Sequence, residues 1–510
     1  LKSLVELIKD SLEKEKISPK EIIEKFDEEN LVTDGQKAII LDQNFDNRSN
    51  KYNMASAWKM QPGLVAEKWK KACEIVINKH VSLNVVFNIK GNDVFQHQKA
   101  ETFSLSEKNL HNYTELDQEL QFILNEPFDI SKETVRAALI NLDDELYFGI
   151  SIHHSVIDGI SMFYLLKEII SIYKKLVKNE SSISEKDLRY LEYQSKQFHS
   201  IQSEKTEKMK QEVKNSLANN KLVTKFNIYS DVKQNSQDTS EKIIKFSKNN
   251  FNRLKKVSKV TKYTLFELLY STYQLLYYKI NQQNNFITCT YSSGRENAEH
   301  YDTIGYFVKN ILTSNFVNPE ETAYNYIERL HNQLLKSYDY PSVASLEYLK
   351  NSGIKGEKLG HVFVYEKAME EIKGAPIFIN APDSESTFVF DDVTFEKVKM
   401  NCLDSQYDLV FMVEECTDKM FLRCQFRKSS YSEQAVEVLL QSFELLLENI
   451  LRNINRPIKE YKITELLPMQ VMSRQLEGVK YHDYVEYFAK QTPEKLAVCF
   501  SNIKLSYYEL

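Results

Sequence analysis

Apolar side chains recur along this chain with two periods. Leu4, Leu7, Ile8 and Leu12 share one face at helical spacing, so residues 1–25 read as helix. Ser18-Pro19-Lys20-Glu21 offers a restart, with Ser at the N-cap, Pro at the first helical position and Glu three residues on. Leu64, Val65, Trp69, Ala72, Ile75 and Val76 predict a second amphipathic helix over 63–80. It runs into an apolar strand, Leu83 to Phe87, and Lys90-Gly91-Asn92-Asp93 has the chemistry of a hairpin turn. Residues 116–125 are helical by pattern. Residues 134–142 and 146–153 make an antiparallel pair across Asp143-Asp144, and a long helix follows from Ile160 to Val177.

From about 178 to 222 the chain turns polar and charged, which marks a boundary between two lobes. Strands near 223–229 and 242–247, helices over 249–260 and 264–280, and a strand from Phe286 to Tyr291 follow. The helix-then-strand order repeats that of the first half, so two lobes of similar α/β make-up are expected. Length agrees, since 510 residues exceed what one core holds.

Composition narrows the class. Hydrophobic residues make up 42% and charged residues 27%, a soluble globular balance. A net charge of −6 leaves no basic footprint for nucleic acid, and the lysine-rich patches Lys68 to Lys71 and Lys255 to Lys262 read as solvated helix faces. No apolar run approaches the roughly 18 residues of a membrane span, and the N-terminus lacks a signal-peptide pattern. The six cysteines, at 73, 289, 402, 416, 424 and 499, contain no C-x-x-C pair, so buried thiols in a reduced cytosol are expected. With 12 glycines and 10 prolines there is no collagen-like, linker-like or phosphate-loop segment.

The chemistry concentrates at Ser151-Ile-His153-His154-Ser155-Val-Ile-Asp158-Gly159, which ends the apolar run Leu146 to Ile152. The pattern is a strand delivering imidazoles, a tight turn, then a helix. A histidine titrates near neutrality and is the natural group to orient or deprotonate a nucleophile. Adjacent strand residues point to opposite faces, so one of His153 and His154 faces the core and the other a cleft. Asp158 suits a helix N-cap, an ion-pair anchor or a histidine partner. Gly159 suits a positive φ or a close backbone approach. A lone strand histidine is ordinarily a satisfied core or surface residue; two histidines, an aspartate and a glycine at this spacing weigh against that. Diverging neighbours with no further His or Cys at ligand spacing argue against zinc. The G-x-S-x-G, Walker A and G-x-G-x-x-G signatures are absent.

His153-His-Ser-Val-Ile-Asp158-Gly159 resembles the HHxxxDG signature of condensation domains in nonribosomal peptide synthetases. Other segments resemble that family in the same order: Leu31 to Gln36 with Tyr52-Asn53; Lys79-His80-Val-Ser-Leu83-Asn84; Gly294-Arg295 with Ile304-Gly305-Tyr306-Phe307-Val308; Asp339-Tyr-Pro341; and Tyr407-Asp408-Leu409. Tyr481 to Phe488, Gln491-Thr492-Pro493, Ala497-Val498 and Leu505 to Leu510 resemble the opening of an adenylation domain. Residues 1–27 resemble the end of a carrier domain, with a linker helix as the alternative. The organisation expected is therefore 1–27 carrier end or linker, 28–190 first lobe, 191–222 helical connection, 223–465 second lobe, and 466–510 linker and adenylation start.

The resemblance implies an α/β (α+β) fold of two chloramphenicol-acetyltransferase-like lobes, a V-shaped pseudo-dimer around a central tunnel. It implies an acyltransferase that forms an amide when a carrier-bound aminoacyl amine attacks a carrier-bound acyl or peptidyl thioester. By residue matching, His154 is catalytic and Gly159 sets its backbone N–H near the reacting carbonyl. His153, Asp158 and Arg295 are structural at the site, and Ser155, Tyr306 and Phe307 line the tunnel. No metal and no resident cofactor are implied; 4′-phosphopantetheine arms arrive on an upstream donor carrier and on the acceptor carrier beyond a downstream adenylation domain. Neither a membrane, nucleic acid nor an obligate homo-oligomer is implied, and the compartment is cytoplasmic. Two departures stand out: Asn84 replaces the arginine that pairs with the motif aspartate, making Arg295 the candidate partner of Asp158, and Lys309 replaces an asparagine. An epimerisation domain, a free acyl-CoA acyltransferase and a non-catalytic domain that recruits carriers or partner enzymes are the rival readings. The opening segment and Asp339-Tyr-Pro341 look closer to domains that follow polyketide modules.

Overall fold

The computed structural model of the chain describes residues 32–181, 185–201, 221–228, 238–338, 359–377, 386–399, 403–463, 489–500 and 503–509, with isolated helical positions between 208 and 217 and at 486. The helix expected over 1–25 and the Asp339-Tyr-Pro341 segment lie outside the described residues. Two seven-stranded mixed sheets dominate. Each is buried against helices, because its strands carry apolar side chains that need an apolar cover.

The first sheet is built around β1 (Asn53–Met60), which lies between β6 (Glu145–His153) and β14 (Val393–Lys397). β5 (Val135–Leu142) and β6 form the expected hairpin, turning at Asp143 with φ of 51°. The helices Ala66–Lys79 (α2) and Gly159–Val177 (α4) pack against each other. Trp69 of α2 meets Phe148 and Phe395 edge-on, and Trp58 of β1 adds to the same aromatic core. The opposite face is covered by Tyr113–Asn125 (α3), whose Leu116, Leu120 and Ile123 meet Ala138 and Ile140. α1 (Asp34–Phe45) enters through a capping box between Thr33 and Gln36. The helix Arg189–Ile201 (α5) follows α4 in the chain.

The second sheet centres on β11 (His361–Lys367), parallel to both β9 (Asn285–Ser292) and β15 (Leu409–Glu415). Its apolar cover comes from α6 (Lys248–Thr261), α7 (Leu265–Asn281), α8 (Ala323–Tyr338) and α9 (Glu433–Arg452). Tyr270, Tyr273, Phe286, Phe411 and Phe443 form the centre of that core. Cys73, Cys289, Cys416 and Cys424 are buried. Among the described residues no helix is long and apolar enough to cross a membrane.

Three expectations need correction. The strand expected from Leu83 begins instead at Val85, because Val81–Leu83 closes a short 3₁₀ turn. The strand near 223–229 is replaced by a short one at Lys221–Leu222: beyond it Val223 gives its N–H to the Ile287 carbonyl and its own carbonyl accepts from the Gly360 N–H, and the ladder ends. Most consequential, the stretch assigned whole to the second lobe does not stay there. Past Lys367 the chain crosses to the first sheet, where β12 (Ile372–Gly374), β13 (Thr387–Phe390) and β14 extend the edge beside β1. Asp391 and Asp392, both at positive φ, make the two-residue turn between β13 and β14.

Candidate active site

The motif strand is held on both sides to its last residue. His153 gives its N–H to Thr134 on one side, and His154 gives its N–H to Tyr52 on the other. The backbone then turns, with the Val156 N–H returning to the His153 carbonyl at 3.0 Å. Asp158, in extended conformation, caps α4 by accepting from the Ser161 N–H at 2.7 Å. A rigid strand, one turn and a capped helix therefore fix five consecutive positions.

Strand alternation separates the histidines as expected. His153 is fully buried, with Nδ1 2.8 Å from the Ser155 hydroxyl and its ring between Tyr52 and Phe128. Burial, with the neighbouring His154 adding to it, pushes its pKa down to about 3, so it is a neutral packing residue. His154 is only half-buried and stands edge-on to Tyr306, with ring centroids 5.4 Å apart. Its Nδ1 lies 2.7 Å from the Ile157 carbonyl. A carbonyl only accepts, so Nδ1 carries the proton and Nε2 presents a lone pair. Burial lowers the His154 pKa, while the Ile157 carbonyl and Asp158 pull the other way. The ring is thus a neutral acceptor of fixed tautomer.

Asp158 and Arg295 are brought together. The guanidinium donates to the two carboxylate oxygens at 2.8 and 3.1 Å, to the Ser161 hydroxyl at 2.7 Å, and to the carbonyls of His300 and Thr303. It also lies 4.1 Å over the Phe307 ring. The Phe307 N–H completes the aspartate's set at 3.1 Å. Asn84 serves elsewhere, since its amide donates to the Ile77 and His80 carbonyls and closes the C-terminal end of α2. Lys309, at the other departure, pairs with Glu296.

Through this network the segment 295–307, which leaves the second sheet after β9, is tied to the first lobe. Ser82 donates to the Ile304 carbonyl, Tyr190 of α5 to the Tyr306 carbonyl, and Ser161 to the Gly305 carbonyl. Gly294 starts the segment with φ of +65°, and a Cβ there would lie 1.9 Å from the Phe307 carbonyl oxygen. Gly294→Ala is expected to cost about 1–2 kcal/mol from the left-handed backbone alone, more with that clash, and to show as a lower thermal denaturation midpoint.

Several assignments change. Ser155 and Phe307, expected to line a tunnel, are both buried, one bonded to His153 and the other lying under Arg295. Tyr306, buried to 8% exposure, touches His154 directly. Gly159 has no positive φ; what it permits is close approach, because a Cβ there would meet the Glu366 carboxyl at 3.0 to 3.4 Å. Two contributors were missed. Gln36 donates to the Ser155 carbonyl at 2.8 Å and so steadies the motif turn from α1. Glu366, on β11 of the second sheet, faces the start of α4; its partner is 207 residues away in sequence, and no local pattern announces it. Among the described residues, no three His, Cys, Asp or Glu side chains gather to hold a metal ion.

Comparisons with known proteins agree with this architecture. Bacitracin synthase 1 of Bacillus licheniformis is 20% identical over 489 residues, covering 91% of this chain and 9% of that protein. Gramicidin S synthase 2 of Aneurinibacillus migulanus is 22% identical, covering 94% and 11%. The chain spans about a tenth of the length of these curated relatives. A holo four-domain nonribosomal peptide synthetase bound to AMP and glycine superposes with a TM-score of 0.71 at 17% identity, covering 94% of this chain and 37% of that one. The condensation-domain family model matches residues 27–472, and the chain belongs to the condensation domain family.

Proposed function

We propose that this chain catalyses amide formation between two carrier-borne thioesters, the step the family performs in nonribosomal peptide synthesis. The observation that carries the reading is His154: a half-buried neutral imidazole at the end of a clamped strand, its Nδ1 proton committed to Ile157 and its Nε2 lone pair left as acceptor. The acceptor's amine nitrogen attacks the donor's thioester carbonyl, the new C–N bond forms and the C–S bond breaks. His154 Nε2 takes a proton from the attacking nitrogen and returns it to the leaving thiolate. The thioester is already activated, and two tethered reactants held in register supply effective molarities on the order of 10⁵–10⁸ M. A positioned base adds roughly 10²–10⁴-fold. Alignment therefore carries the larger share, which suits a site fixed by capping and inter-lobe bonds.

The 4′-phosphopantetheine arms are substrates delivered by an upstream donor carrier and a downstream acceptor carrier, the latter loaded by an adenylation domain whose linker and start occupy 466–510, in the cytoplasm. Support for that tail is the sequence resemblance together with the hairpin of β17 (Leu496–Phe500) and β18 (Ile503–Ser506). A recruiting role is the second reading, favoured by the similarity in fold, with a TM-score of 0.69, to an X-domain solved in complex with OxyB. The test is direct. Donor and acceptor carriers are loaded in combinations, the chain is added, and amide product is sought by mass spectrometry. Amide that depends on the chain is expected; none from any loaded pair would overturn catalysis in favour of recruitment.

A further inference from the structure

Glu366 is a charged group at the motif that the proposed reaction leaves unused. It extends from the same face of β11 as Val362 and Val364, away from the helix-covered core that holds Phe363. Its carboxyl reaches across to the first lobe and comes to rest against Gly159, the first residue of α4. Each charged neighbour is engaged elsewhere. Asp158, from the motif turn, accepts from Arg295, Ser161 and Phe307. Glu414, from β15 and level with Glu366 in the parallel register, accepts from the Ile377 N–H at 2.7 Å. Arg295, from the 295–307 segment, spends its terminal nitrogens on Asp158, Ser161 and two carbonyls. Among the described residues Glu366 makes neither a hydrogen bond nor an ion pair. A half-buried carboxyl without a protein donor is left to water or to a donor that enters the site.

We propose that Glu366 receives the acceptor's α-amine and holds the proton that amine must shed to become a nucleophile. This rests on the amide-forming reading. Of the reacting groups only the amine is a donor; the thioester carbonyl and thiolate are acceptors that a carboxylate would repel. The step balances: R–NH₃⁺ and the Glu366 carboxylate become R–NH₂ and the carboxylic acid. The free amine then attacks, its second proton passes through His154 to the leaving thiolate, and the Glu366 proton returns to solvent when product leaves. Burial first, then the charges of Asp158 and Glu414, push the Glu366 pKa up to about 8, with Arg295 opposing. A free α-amine titrates at about 7.7–8.0. The two groups are thus closely matched as proton acceptors.

The test compares wild type, Glu366→Gln and Glu366→Asp with loaded donor and acceptor carriers across pH 6 to 9, which brackets the amine's range of about 7.7–8.0. For Glu366→Gln the KM for loaded acceptor is expected to rise about 10- to 100-fold, the range for losing a hydrogen bond to a charged group. The donor KM stays unchanged, and the loss is greatest near pH 8, where the carboxylate and the ammonium coexist. Glu366→Asp recovers part of the loss, and circular dichroism reports an unaltered fold for both. Equal loss at every pH, a rise in the donor KM instead, or no change at all would overturn the assignment while leaving amide formation standing. No amide from wild type with any pair would overturn the reading beneath it, and this one with it.

Discussion

His154→Ala is expected to lower amide formation by about 10²–10⁴-fold, the contribution of a positioned general base, with carrier binding and fold retained. Two features separate this from a packing defect. His154 is half-buried rather than buried, and the strand holding it is bonded through backbone atoms that alanine keeps, including the His154 N–H to Tyr52. The residual rate should be that of alignment alone. The pH dependence carries the sign. Burial holds the His154 pKa below the usual histidine value of 6.5, so the neutral base persists on acidification past that value. Besides the limb near pH 8 that the amine and Glu366 set, a second acid limb of kcat is therefore expected below pH 6.5 in wild type and absent from His154→Ala, as followed by product formation from pre-loaded carriers. Survival of that lower limb in His154→Ala would assign it to another group.

How much of this was legible in the sequence depended on range. The β5–β6 hairpin, the α4 helix and the divergence of the two histidines follow from period, turn chemistry and alternation, all local properties, whereas the choice of His154 came from the family resemblance. The 3₁₀ turn at Val81–Leu83 displaced a strand start by two residues because an apolar run looks the same in either conformation. Crossing of 372–397 into the first sheet was invisible: strands of three to five residues carry too little periodicity to declare a sheet, let alone which one. The site divides along the same line. Residues in one segment, His153 to Gly159, were readable together. Arg295 was nominated only because Asn84 left Asp158 without its usual partner, and Gln36 and Glu366 reach the motif through tertiary contacts that no spacing encodes.

The Asp158–Arg295 pair sets the second large effect. Both side chains are nearly fully buried, and the guanidinium holds the aspartate of the first lobe against a segment of the second. Arg295→Met is expected to destabilise the chain by about 3–5 kcal/mol, the cost of leaving one buried charge without its partner. The pair's own net worth is smaller, since desolvating two ions offsets most of their attraction. The two quantities are separable. Asn at 158 keeps an N-cap oxygen for the Ser161 N–H while removing the charge, so Asp158→Asn combined with Arg295→Met should recover much of the stability lost in Arg295→Met alone. Urea denaturation of the two single variants and the double variant closes the cycle, and a coupling of several kcal/mol is expected. Simple additivity of the two losses would mean that the carbonyl bonds of Arg295 to His300 and Thr303, rather than the ion pair, hold the segment. In that case Asp158 serves chiefly as the cap of α4. Activity offers an independent check, because the Phe307 N–H and the Tyr306 ring against His154 both sit on the segment that Arg295 anchors. A double variant that refolds but condenses slowly would show that the anchor sets the position of Tyr306 beside the His154 ring as well as the stability of the lobe contact.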